Sequence, residues 1–229
     1  MAKEKQIKQE YINIAYQILA EEGYEAVTVR RLAKETGRNT ASLYYYFDSL
    51  SYLISIASVR YLMQYYDTLS NVIDQHYKAL EVDLQSWVCL AWYAFHNVPI
   101  YENFFLYDIE LSEKALYEYL ELFPEERSLI DNYFMNNILL SLDIKAREKE
   151  TLLLAVKEGT IALNDVDFLV NTDYYIFCGM MNELRFTYKD EKVVHAVMEK
   201  YASIMTDLFQ RIMLPGNSIL GCHLETISK

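Results

Sequence analysis

The 229 residues carry a net charge of −12 at neutral pH, so the bulk composition does not mark a binder of nucleic acid or of an acidic surface. Hydrophobic residues make up 52% of the chain, enough for a sizeable core in one or two domains, and only three prolines and six glycines favour long helices over a turn-rich β fold. The sequence has no run of eighteen apolar residues and no apolar core in its opening MAKEKQIKQE, which argues against a spanning helix and a signal peptide and gives the expectation of a cytoplasmic protein without a membrane partner.

The first helix is expected from about Glu4 to Glu22, with Ile7, Tyr11, Ile14, Ala15, Ile18 and Leu19 on one stripe and Gly23 as its stop. Thr28 is placed to cap a second helix, Val29 to about Thr36, with Val29, Leu32 and Ala33 facing inward. Arg31 stands where Glu or Gln would complete a capping box, so the box is incomplete. Gly37 supplies a sharp turn, and Asn39 is the next cap, opening a short helix through Tyr46 with Leu43 and Phe47 inward. Ala33, Gly37 and Leu43 have the spacing of two helices that cross steeply around a turn. The outward side of the second of these presents Thr40, Ser42, Tyr45 and Tyr46, with Arg30, Arg31 and Arg38 nearby. Short donors of this kind reach base edges, and hydroxyl and guanidinium groups suit phosphate oxygens. From spacing alone, DNA binding and a plain structural hairpin stand level.

The longer pattern separates them. An amphipathic first helix, then GYEAVTVRRLAKETGRNTASLYYYF and a long helix opening at Ser49, resembles the DNA-binding domain of tetracycline-repressor-type (TetR family) regulators over roughly the first fifty to sixty residues. Gly23, Thr28, Val29, Leu32, Ala33, Gly37, Leu43, Tyr44 and Phe47 carry the resemblance. It implies Thr40 and Ser42 as base readers, Arg30 as a groove or phosphate contact, and Tyr44, Tyr45 and Tyr46 as backbone contacts, with Arg38 and Asn39 in the same DNA-facing set. The chain departs from the family at three places. Ala41 stands where Gly is frequent, Tyr46 where His is frequent, and Leu50 where a Lys commonly grips a phosphate. The implied architecture is all-α: a helix-turn-helix head over 1–50, a helical effector-binding and dimerisation domain over 51–213, and a tail over 214–229.

The charge is unevenly placed. Residues 1–53 hold seven basic and seven acidic side chains, so the whole −12 belongs to the remainder, which is expected to point away from a phosphate backbone. Phosphate contact is allowed, with modest and salt-sensitive non-specific affinity.

From Ser49 a long helix is expected, carrying Leu50, Leu53, Ile54, Ala57, Tyr61, Leu62, Tyr65, Leu69 and Val72, and serving as a lever between head and body. Residues 79–97 read as a helix apolar around much of its circumference, therefore central, with Pro99 marking a break. Two helical stretches follow on either side of Pro124, and Asn136 and Asn137 interrupt an apolar run, either at the surface or facing a ligand. Residues 145–158 are helical in pattern, with Gly159 as the stop. Two strong helices then span roughly Val166–Tyr188 and Glu191–Met213, joined by YKDE as antiparallel neighbours. In the family such a pair forms the dimer interface, which nominates Met181, Leu184, Val197, Tyr201, Ile204 and Leu208; the same stripes could instead close the chain's own core.

No catalytic or metal constellation is visible, so neither an enzyme nor a cofactor is expected. His76, His96, His195 and His223 are far apart, and none follows a Glu by three residues. There is no zinc helix, phosphate-cradling glycine loop or nucleophile elbow. Cys89, Cys178 and Cys222 are scattered and read as free thiols. Twenty-one tyrosines and eight methionines suit a cavity for a flat or flexible, mostly apolar effector, with Trp92, Phe95, His96, Phe104, Tyr107, Tyr133 and Phe177 as candidate lining. The leading expectation is a homodimeric regulator, in this family most often a repressor, that binds a palindromic double-stranded operator and is released by a small effector. The alternative is an interaction protein that keeps the fold and acts through a partner regulator.

Overall fold

A computed structural model describes residues 2–73, 76–126, 142–219, 221 and 227. Among these residues every regular element is helical, and no helix is long and apolar enough to cross a membrane. The helices are α1 (Ala2–Glu22), α2 (Val29–Thr36), α3 (Ala41–Tyr46), α4 (Leu50–Val72), α5 (Ala79–His96), α6 (Val98–Glu102), α7 (Ile109–Leu122), α8 (Ile144–Lys157), α9 (Val166–Glu183) and α10 (Glu191–Ile212). The described residues fall into two compact units, one drawn from 1–64 and 99–137, the other from 65–98 and 138–229.

The first unit is built on α1. Tyr11, Ile12, Ala15, Ile18 and Leu19 are buried along one side of it, and α2 packs against that side. α7 returns to the same helix. Lys5 Nζ and Gln9 Nε2, one helical turn apart on α1, donate to the carbonyls of Glu121 and Leu122 at 3.2 and 2.7 Å. These carbonyls end α7 and have no partner within their own helix, so α1 caps α7, with the lysine charge at the negative end of its dipole. Lys8 adds an ion pair to Glu118 at 2.8 Å, and Glu118 also accepts from the Tyr52 hydroxyl. Arg60 of α4 donates to Tyr119 and Asn13 and lies between the rings of Tyr16 and Phe123.

Pro99 falls within the short α6, in its first turn, where a missing N–H costs nothing. It opens a new short helix directly after the break, which falls at Asn97. A π-type turn, Asn103–Tyr107, leads to α7, which Asp108 caps by accepting from Leu111 N–H at 3.0 Å. The stretch expected after Pro124, with Tyr133, Asn136 and Asn137, lies outside the described residues, as do Cys222 and His223.

In the second unit α5 is buried around most of its circumference and packs on α8, α9 and α10. Its N-terminal Ala79 N–H is capped from another helix's end, by Glu158 Oε2 at 2.8 Å. Phe177 of α9 stacks on Phe95 with centroids 6.0 Å apart, Trp87 sits beside it at 5.5 Å, and Tyr201 of α10 meets Phe95 edge-on. α9 ends at Glu183 and not at Tyr188, because residues 184–190 close in tight turns that hand the chain to α10, capped by Asp190. The first residues of the tail pack back: Leu214 N–H donates to Thr160 O, Asn217 bonds Gly159 O and Lys78, and Gln85 donates to Gly221 O.

The interface candidates divide. Met181, Leu184, Val197 and Tyr201 are buried inside the second unit of this single chain, so they are core residues; Ile204 and Leu208 are half-exposed. A different stripe on α9 is open: Phe168 and Tyr175 are 53% and 65% exposed, and Gly179 and Asn182 continue the same line. It runs opposite Val170, Phe177 and Met181. The helix has two apolar sides, and periodicity alone does not say which one faces its own core.

Candidate nucleic-acid interface

The head is set by its caps. Thr28 Oγ1 accepts from Arg31 N–H at 3.2 Å, which starts α2. Gly37 ends α2 at φ 66°, ψ 18°, and the next N–H, that of Arg38, returns to Ala33 O at 3.1 Å. This is the left-handed ending that glycine takes without a Cβ penalty, and it lets α3 leave at a steep angle. Asn39 Oδ1 accepts from Ser42 N–H at 2.9 Å, so it caps α3 although the helix itself begins two residues later. Ser49 Oγ accepts from Tyr52 N–H at 3.0 Å and opens α4.

These caps fix which side of α3 is covered. Leu43 and Phe47 are buried, and Phe47 and Tyr46 pack on the buried ring of Tyr11. The opposite side carries exposed Thr40, Tyr44 and Tyr45, with Ser42 and Tyr46 half-buried at its margins. Tyr44 is 58% exposed and Tyr45 80% exposed, large aromatic surfaces left in water on a six-residue helix. Thr40, with its hydroxyl at the N-terminus of α3, is available to a base edge, and the tyrosine hydroxyls are available to phosphate oxygens.

The nearby cations are not equivalent. Arg31 pairs with Glu22 at 2.9 Å and with Glu35 at 3.1 Å. Arg38 pairs with Glu10 at 2.7 Å and lies over the Tyr11 ring. The hydrogen bond from Arg38 holds the Glu10 carboxyl below its ordinary value, against some desolvation. Arg38 thus ties the start of α3 to α1. Among the described residues Arg30 and Lys34 of α2 are exposed and make no ion pair, so they are that helix's uncommitted cations. Spacing could place all three arginines near α3, but it could not show that two of them are spent on glutamates.

The effector candidates separate between units. Trp92, Phe95, His96 and Phe177 are in the second unit; Phe95 and Phe177 are buried, and His96 lies 4.4 Å from the Trp92 ring with its Nδ1 2.6 Å from Trp92 O. Phe104 and Tyr107 are in the first unit, Phe104 buried and Tyr107 60% exposed.

Residues 12–51, the segment containing this interface, match the family described as bacterial regulatory proteins, tetR family. Over that segment the chain carries the tetR-family pattern. No curated protein sequence matches it. Among solved structures, RolR in complex with the ligand resorcinol is 16% identical with a TM-score of 0.55, covering 95% of this chain and 98% of that one. At that identity the likeness shows a shared fold, and it spans nearly the whole of both chains. A structure described as the molecular basis for control of antibiotic production by a bacterial hormone is 19% identical over 91% of this chain and 97% of its own, with a TM-score of 0.49.

Proposed function

We propose that this tetR-family transcriptional regulator is a homodimeric repressor that reads a palindromic operator through α3 and is released by a small apolar or aromatic effector. The observation that carries the reading is the exposed Thr40–Tyr44–Tyr45 side of α3, held outward by Leu43 and Phe47 beneath it. Thr40 and Ser42 read base edges in the major groove. Tyr44, Tyr45, Tyr46 and Arg30 take the phosphates on either side. Two heads in a dimer contact half-sites about one helical turn apart, roughly 34–36 Å. The open α9 stripe of Phe168 and Tyr175, with Ile204 and Leu208 of α10, supports pairing of two chains. The effector occupies the aromatic part of the second unit around Trp92, Phe95, His96 and Phe177. A small aromatic ligand in a protein of the same fold supports that class. It releases DNA by as much as it prefers the non-binding conformation, on the order of 1–3 kcal/mol.

The test is selection from a random duplex pool followed by titration of Thr40→Ala and Tyr45→Ala. Thr40→Ala is expected to cost about 1–3 kcal/mol confined to particular base pairs, and Tyr45→Ala to weaken all sequences alike. Uniform weakening by Thr40→Ala removes it as a base reader.

The second reading, action through a partner regulator, is favoured by the scarcity of uncommitted cations in the head and by Leu50 at the start of α4. Failed selection together with capture of a defined partner supports it; tight binding to a palindrome rules it out.

A further inference from the structure

Three carboxylates meet in the interior of the second unit. Asp83 of α5, Glu148 of α8 and Asp173 of α9 are 3%, 3% and 0% exposed, and each offers an oxygen within 4.8 Å of the other two. Five of their oxygens have no hydrogen-bond partner: Asp83 Oδ2, both of Glu148 and both of Asp173. Trp87 and Asp173 lie close enough to Glu148 to oppose part of the rise that burial imposes on it, but without hydrogen-bond geometry. Burial drives all three carboxyls upward, and the neighbouring acids add to the rise of Asp83 and Asp173. An independent group on a fourth helix faces the same space. The Tyr201 hydroxyl of α10 is fully buried and unpartnered, and after burial the charges of Asp173, Glu148 and Asp83 are what hold its proton on.

Among the described residues the buried cation at hand is Arg147, while half-exposed Lys145, bonded to Asn171, also acts on Glu148. Arg147 is buried, its Nη2 is 3.5 Å from the Tyr65 hydroxyl, and its Nη1 has no partner. Were all three ionised, as ion binding requires, one guanidinium would leave two negative charges in a medium where an unpaired charge is costly.

We propose that Asp83, Glu148 and Asp173 bind one hard divalent cation of the Mg²⁺, Mn²⁺ or Ca²⁺ class, with the Tyr201 hydroxyl facing the ion. Its charge matches the two that Arg147 leaves uncompensated. The donors are all oxygen, with no His or Cys in the cluster, which selects hard ions over zinc or copper. Two oxygens on opposite sides of an ion at about 2.1–2.4 Å lie about 4.2–4.8 Å apart, so separations within 4.8 Å suit a single ion. Four helices with no sequence proximity are tied together by it. The site rests on the second unit alone and not on operator reading.

The test uses the full-length chain stripped with EDTA, without DNA. Adding Mn²⁺, Mg²⁺ or Ca²⁺ at a hundredfold excess over Kd is expected to raise Tm by roughly 5–10 °C, with one ion per chain by calorimetric titration. Asp173→Asn and Glu148→Gln remove buried repulsion, so each is expected to fold with an unchanged or higher metal-free Tm and to lose the response. Terbium, a hard ion probe, added to the wild type is expected to emit when the indoles are excited and to be displaced by Ca²⁺ or Mn²⁺, a readout that needs no variant. A wild-type chain that folds but shows neither a Tm shift nor sensitised emission overturns the proposal. So does a Tm shift that survives in Asp173→Asn, which marks an adventitious surface ion.

Discussion

Glu10 and Arg38 show how a single pair decides what a basic residue does. Arg38 sits just before α3, yet its guanidinium is turned back to the carboxylate of α1. The depressed folded pKa of Glu10 means that its contribution is present above the ordinary glutamate value and is lost as pH falls through the lowered one. Because both side chains are partly exposed, with 27% and 41% of their area in water, that contribution is below about 1 kcal/mol. Urea unfolding of the wild type against Glu10→Gln at pH 6 and at pH 3 is the check. The wild-type advantage is expected at pH 6 and smaller at pH 3; an advantage undiminished in acid means the pair is not its source.

At the scale of elements, α7 is the brace of the head. Glu118 joins Lys8 of α1 to Tyr52 of α4, and Lys5 and Gln9 cap the end of α7. Glu118→Ala removes a partly buried ion pair and strands the Tyr52 hydroxyl, and is expected to destabilise the fold by about 1–2 kcal/mol in chemical denaturation. Unchanged stability assigns the docking of α7 to Leu116, Tyr119 and Leu120 alone. None of this was legible in sequence, since the partners are 66 to 116 residues apart and each reads locally as an ordinary solvated polar or charged side chain. The caps were legible, because Thr28, Gly37, Asn39 and Ser49 act on groups within four residues of themselves. The buried acids left a trace that was not followed. Asp173 stands between Val170 and Phe177 on the apolar stripe of α9, and Asp83 interrupts a helix apolar almost all round. What the sequence lacked was any sign that α5, α8 and α9 bring these acids to one point.

At the scale of the whole molecule, the regulator reading requires two heads. The Phe168–Tyr175 stripe is the surface argued for pairing, so the Phe168→Glu, Tyr175→Glu double variant is expected to sediment as a monomer with unchanged helicity and to lose operator affinity at least tenfold. A double variant that stays dimeric moves the interface elsewhere. The acidic body and the few free cations of the head together predict shallow non-specific binding, so base contacts must supply the discrimination. The most direct measurement is therefore selection from random duplex DNA at low salt with the folded wild-type chain. The account expects enrichment of a palindrome with half-site centres about ten base pairs apart, lost at defined positions in Thr40→Ala. Recovery of no sequence preference from that selection contradicts it.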